Sequence, residues 1–164
     1  MAMYGNLDTA RAGMLDGLDH DFVSKRTAVA FKFGDPAFVD AGNETDIVQG
    51  DVADVSLVFQ GVVVLTQYAD NTVEGELPAK EVASVVRDGE IWVRVPEGMT
   101  ATANLSAFAI ADSGEADYKK FTKTSAATTV TTGAIFTSNP VAVSTGNTFA
   151  RIKVDGAQLA VAGV

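Results

Sequence analysis

Apolar and polar residues alternate with a period of two along much of this chain. Val29, Phe31 and Phe33 fall on one side of a segment whose other side is Ala28, Ala30 and Lys32. That is the spacing of a strand with one buried face. Gly34-Asp35-Pro36 predicts a turn, Ala37 to Val39 resumes as a short strand, and Asp40 to Asp51 reads as a polar loop. Val55 to Tyr68 is a near-continuous apolar run with Gly61 at its middle. It predicts a strand buried on both faces, or two strands bent at a glycine bulge.

Further on, Val82 to Val86, Arg87-Asp88-Gly89-Glu90 and Ile91 to Val95 read as a hairpin closed at Asp-Gly. On its second limb Ile91, Val93 and Val95 alternate with Trp92 and Arg94, giving an inner and an outer face. Ser106 to Ile110 predicts a strand, Ala111 to Thr124 a polar excursion, and Ala127 to Thr132 and Gly133 to Ser138 two more strands. Val141 to Ser144 and Thr148 to Val154 form a pair closed at Gly146-Asn147. In its second member Ala150, Ile152 and Val154 are expected to face in, and Phe149, Arg151 and Lys153 out. Leu159 to Val164 reads as a final strand.

Residues 1–26 lack this rhythm. Turn formers recur every few residues, and Gly13 and Gly17 weaken a helical turn over Thr9 to Leu15. Two readings stay open. One is an extended arm whose apolar residues Tyr4, Leu7, Met14, Leu18 and Phe22 seek a surface; the other is an N-terminal strand tucked onto its own domain. The expected organisation is an arm over residues 1–26 and a β domain over residues 27–164.

Composition supports strands over helices. Valine occurs 22 times against 8 leucines, with 16 threonines and 9 phenylalanines, and β-branched and aromatic side chains suit a pleated surface. The 25 alanines dissent. The fold class is therefore all-β, a β-sandwich or barrel of jelly-roll-like type with an extended N-terminal arm. With no cysteine in 164 residues, disulfides and thiolate metal sites are excluded. The net charge of −9 disfavours nucleic acid as a partner. It is unevenly placed, because residues 119–164 hold only one acid against five bases. Lys119, Lys120 and Lys123 read as a solvated loop or a contact with an acidic neighbouring subunit. Ser125 to Ala150 is uncharged, but its threonines, serines, Asn139 and Pro140 make it strands and turns, not a membrane span.

Catalytic signals are sparse. The one histidine, His20, lies between Asp19 and Asp21, a trio with metal-ligand or general-base chemistry but set among glycines. There is no Gly-x-Ser-x-Gly elbow and no phosphate-binding glycine loop. The acidic Asp40 to Asp51 segment lacks the ligand spacing of a calcium-binding hand. No cofactor, metal or catalytic residue is assigned, and the chain is read as a non-enzyme.

Four passages, taken in order, resemble the structural-cement (capsid decoration) family of tailed bacteriophages. They are Ala12-Gly-Met-Leu-Asp-Gly-Leu-Asp-His-Asp-Phe-Val-Ser-Lys-Arg, Val29-Ala-Phe-Lys-Phe-Gly-Asp-Pro-Ala-Phe-Val, Phe59-Gln-Gly-Val-Val-Val-Leu-Thr, and Val82-Ala-Ser-Val-Val-Arg-Asp-Gly-Glu-Ile-Trp-Val-Arg-Val. Residues 97–150 are longer and richer in threonine than the family pattern, and Leu77-Pro-Ala-Lys-Glu lacks its usual Gly-Asp.

The resemblance implies a virion protein on the outer surface of the capsid. It would bind the phage major capsid protein and bridge capsomers without catalysis, as a homotrimer or homodimer, with no nucleic acid or membrane partner. On this reading Tyr4, Leu7, Met14, Leu18 and Phe22 contribute to capsid contact. One rival is a β-sandwich glycan-binding or host-adhesion module, which would use Trp92, Tyr68 and Tyr118. Another is a carboxylate hydrolase supported by His20.

Overall fold

The computed structural model describes residues 12–40, 42–65 and 76–156. Twelve strands account for its regular structure. They are β1 (Leu15–Thr27), β2 (Phe31–Lys32), β3 (Pro36–Asp40), β4 (Asn43–Val48), β5 (Leu57–Val63), β6 (Glu76–Leu77), β7 (Val82–Val95), β8 (Ser106–Ile110), β9 (Phe121–Thr122), β10 (Thr129–Phe136), β11 (Val141–Ser144) and β12 (Asn147–Val154). The all-β expectation holds, and both a barrel and a packed sheet are present.

The barrel is a ring. β1 pairs β4 in parallel, β4 pairs β3, β3 pairs β5, β5 pairs β7, and β7 returns to β1. Its interior gathers Phe31, Phe33, Ala37, Val39, Ile47, Val63, Ala83 and Val85, with Val23 and Val58 partly buried against them. Beyond the ring the sheet runs on from β7 through β12 and β10 to β8 and β9. A second core lies between this extension and the outside of β3 and β5, built on Phe38, Phe59, Phe121, Phe136, Ile91 and Ile152 among others. Phe38 meets Phe59 and Phe59 meets Phe121 edge-on, with centroids 5.7 and 6.4 Å apart. β3 and β5 are thus buried on both faces; for β5 this is one of the two readings of the apolar run through Gly61, whose first residue, Val55, instead lies exposed in a turn.

The hairpin expected at Asp88-Gly89 is absent. Val82–Val95 is one continuous strand, because β1 flanks it from Arg26↔Val82 to Leu15↔Ile91 and leaves the chain no room to reverse. Gly89, at φ +134°, marks an irregularity where the side chains change face. Ala83 and Val85 point into the ring and Val86 into the second core; beyond Gly89, Ile91, Val93 and Val95 do so too. An even-numbered residue therefore shares a core with odd-numbered ones, the signature of one inserted residue. A glycine also ends the separation expected between 127–132 and 133–138. Gly133, at φ +72°, sits inside the single strand β10, with a register shift between Thr131 and Ile135.

Other expectations need correction. The polar segment 40–51 contains β4, whose Ile47 is fully buried. Val29 is 43% exposed, so it does not join Phe31 and Phe33 inside. The β11–β12 turn is centred on Thr145-Gly146, since Ser144 pairs Asn147. Ala150, Ile152 and Val154 do face in, but Phe149 is buried as well. The strand expected at 159–164 lies outside the described residues.

Candidate capsid-docking surface

The described part of the expected arm is built into the domain. Gly13 donates its N–H to the Trp92 carbonyl and its own carbonyl accepts from Leu65, while Trp92 N–H donates to Met14. From Leu15 the chain is β1, paired along β7. The tucked-strand reading is what the structure shows for residues 15–27. Of the five residues expected to contact a partner, Met14 is half-buried and Phe22 is 45% exposed on β1. Tyr4 and Leu7 lie outside the described residues, as does Leu18 beyond its place in β1.

His20 has an internal role. Its Nε2 lies 2.9 Å from the Asp16 carbonyl and 3.3 Å from that of Glu90, and its ring stacks on Phe22 at 5.9 Å. Between Asp16 and Asp21 the pairing of β1 with β7 breaks register. The imidazole fills the space over Gly89, where a Cβ would come within 2.4 Å of the ring. His20 therefore ties the β1 excursion to the β7 irregularity. Among the described residues no cluster of three or more His, Asp or Glu is placed to hold a metal.

Ion pairs link the ring to the sheet. Asp35, fully buried, accepts from Arg94 at 2.5 Å and from the Lys32 N–H at 2.9 Å. Burial raises the Asp35 carboxyl above its ordinary range, and the Arg94 charge opposes that rise in part. Arg151 pairs with Asp16 and Glu90 and lies over the Trp92 ring, 5.8 Å from its centroid. Arg26 grips Asp46 with two hydrogen bonds, which hold that carboxyl below its ordinary range. Asp54 is lowered likewise by the Ser56 hydroxyl.

The lysine cluster is committed locally. Lys120 pairs with Asp117 at 2.6 Å, Lys123 donates to the Thr100 carbonyl, and Lys119 lies over the Tyr118 ring. Tyr118 donates to the Gly50 carbonyl at 3.0 Å, and burial with Asp51 and Asp35 nearby raises its hydroxyl pKa. An open pocket of ≈ 450 Å³ adjoins it, lined by Val29, Val48, Gln49, Asp51, Tyr118 and Lys119 among others. Of the aromatics a glycan platform would need, Trp92 and Tyr118 are thus engaged by their own chain, and Tyr68 lies outside the described residues.

Some large apolar side chains also face outward, several of them on strand surfaces. Besides Phe22, the exposed large residues include Val82 (69%), Ile135 (43%), Val141 (46%) and Val143 (39%). Ile135 lies opposite Lys153, and Val141 opposite Phe149. Sequence reasoning placed all its contact residues in the first 26 and did not single out these exposed strand residues. For Ile135, Val141 and Val143 the signal lay in the uncharged Ser125 to Ala150 stretch, read only for its bearing on membranes. An arrangement of apolar side chains on paired strands suits adhesion by shape and area.

The family model described as structural cement protein (E217 gp24/Pam3 gp6) matches residues 2–155. The chain belongs to that family. The match spans both the ring and the open sheet, so the threonine-rich 97–150 segment falls within it. A solved chain from "The capsid of Myoviridae Phage XM1" shares the fold at a TM-score of 0.68 and 17% identity, over 88% of this chain and 89% of that one. No curated protein matches the sequence. The cement protein is accordingly a virion structural protein with a capsid cement role.

Proposed function

We propose that this cement protein binds the outer surface of an assembled phage head and bridges neighbouring capsomers, adding contact area at each junction without chemistry. The family match across residues 2–155 carries the reading. A scaffold of strands presenting apolar side chains, with its histidine and its Lys119, Lys120 and Lys123 cluster engaged internally, supports it. Bridging works because many modest interfaces, each offering a few matched apolar anchors, sum over a shell. Subunits gathered around local symmetry axes form homodimers or homotrimers there.

Within this proposal, Tyr4, Leu7, Met14, Leu18 and Phe22 contribute to capsid contact. Because β1 completes the ring, deleting residues 1–26 would remove a wall of the domain, and the contact is better tested in two smaller steps. One variant removes residues 1–11; the other is Phe22→Ser. The purified protein is mixed with empty phage shells, then sedimented and imaged. Saturable binding at regular outer positions, and a higher melting temperature for decorated shells, are expected. Protein left in the supernatant at every ratio overturns the proposal. Undiminished binding by both folded variants removes the N-terminal contact from it.

A further inference from the structure

The open sheet ends in an edge that no described strand covers. β11 is hydrogen-bonded on one side, to β12, and among the described residues no strand takes the other. All four of its residues are exposed, and its backbone groups there stand as a template for another strand. Natural edges of this kind are commonly guarded by a charged side chain. This one has none, because Ser125 to Ala150 contains no charged residue in a chain that is 20% charged.

Charge decides which strand fits. Two copies of a −9 chain repel over most of their surfaces, whereas β11 brings no charge to meet its like. The nearest cations on β12 are Arg151, already held by Asp16 and Glu90, and Lys153. We propose that β11 pairs antiparallel with β11 of a second copy about a twofold axis at Ala142, deepening the multimer reading above.

That register sets Val141 of each copy opposite Val143 of the other, covering the two valines. It sets Ser144 opposite Pro140, which has no N–H to leave unpaired. Four residues bury far less than the roughly 1,000 Å² of a stable interface. The pairing is therefore weak in solution, and it strengthens where a shell holds copies close together.

The absence of cysteine allows a clean test. Ala142→Cys places two thiols directly across the axis, where opposed strand residues lie about 4.5–5.5 Å apart between Cα atoms, within disulfide reach. The control is Val55→Cys, in a turn and 98% exposed. Under mild oxidation of concentrated protein, Ala142→Cys should form a covalent dimer about tenfold faster than Val55→Cys, because pairing raises the local thiol concentration. Adding Val143→Lys should erase that advantage.

Equal rates for the two cysteine variants, or a dimer yield indifferent to Val143→Lys, overturn the pairing. Shell binding by the Ala142→Cys variant, reduced and never oxidised, is measured separately. Cross-linking without shell binding retains the pairing and counts against the cement reading. Shell binding with no preferential cross-link does the reverse.

Discussion

The ring and the open sheet share β7 and lie on either side of β3 and β5, yet they finish their hydrogen bonding differently. In the ring each strand has a neighbour on both sides, so its backbone groups are spent internally. The sheet beyond it ends at β9 and along β11, whose outer sides no strand among the described residues takes. Closure makes the ring a self-sufficient scaffold; openness leaves the sheet able to add contacts. A protein that works by adhesion needs both, and here they are divided between two regions of one chain.

Breaking the wall between them should have the largest effect. A Cβ on Gly61 would lie 2.0 Å from the Val86 carbonyl oxygen, at φ +144°. Gly61→Val is expected to cost more than about 4 kcal/mol and to abolish a cooperative unfolding transition. Denaturant titration followed by Trp92 fluorescence checks it.

Phe38→Ala empties the contact between ring and sheet, and should cost about 3–4 kcal/mol. Hydrogen exchange would sharpen the comparison. Protection should fall first in β8 and β10, with β3 and β5 outlasting them. Equal loss everywhere would make the two regions one cooperative unit.

The buried Asp35–Arg94 pair joins the same regions and carries a pH signature. Arg94→Met strips the cation from a fully buried carboxylate, and is expected to cost about 2 kcal/mol at neutral pH. The folded Asp35 pKa is raised above the ordinary 3.8 by burial. The associated stability is fully present below that ordinary value, and is lost as pH rises through the raised folded value. The variant should therefore regain part of its deficit on acidification toward pH 4, relative to the native chain. Denaturation midpoints across a pH series test the sign, and a deficit that widens toward acid contradicts it.

Surface changes should do least. Val143→Lys on the open edge is expected to stay within about 0.5 kcal/mol of the native stability, so its effect on self-pairing can be read without unfolding. Arg26→Ala removes an exposed pair on the ring and should leave the thermal midpoint unmoved, since exposed ion pairs add little.

Period-two alternation and a valine-rich, cysteine-free composition already point to an all-β chain and to the inner face of Ala150, Ile152 and Val154. The order of four passages was enough to point to the cement family. These features are local or cumulative, so one sequence carries them.

Tertiary structure decided the rest. Asp88-Gly89 has the composition of a hairpin turn, and only the neighbouring β1 makes it an irregularity in a continuous strand. The polar Asp40 to Asp51 segment holds a strand because β3 and β1 offer it hydrogen-bonding edges. Whether residues 15–27 form an arm or a wall depends on β4 and β7 being present to receive them. Likewise no local pattern shows that β11 is left at an edge, since an unfilled edge is defined by which strands come to lie beside it.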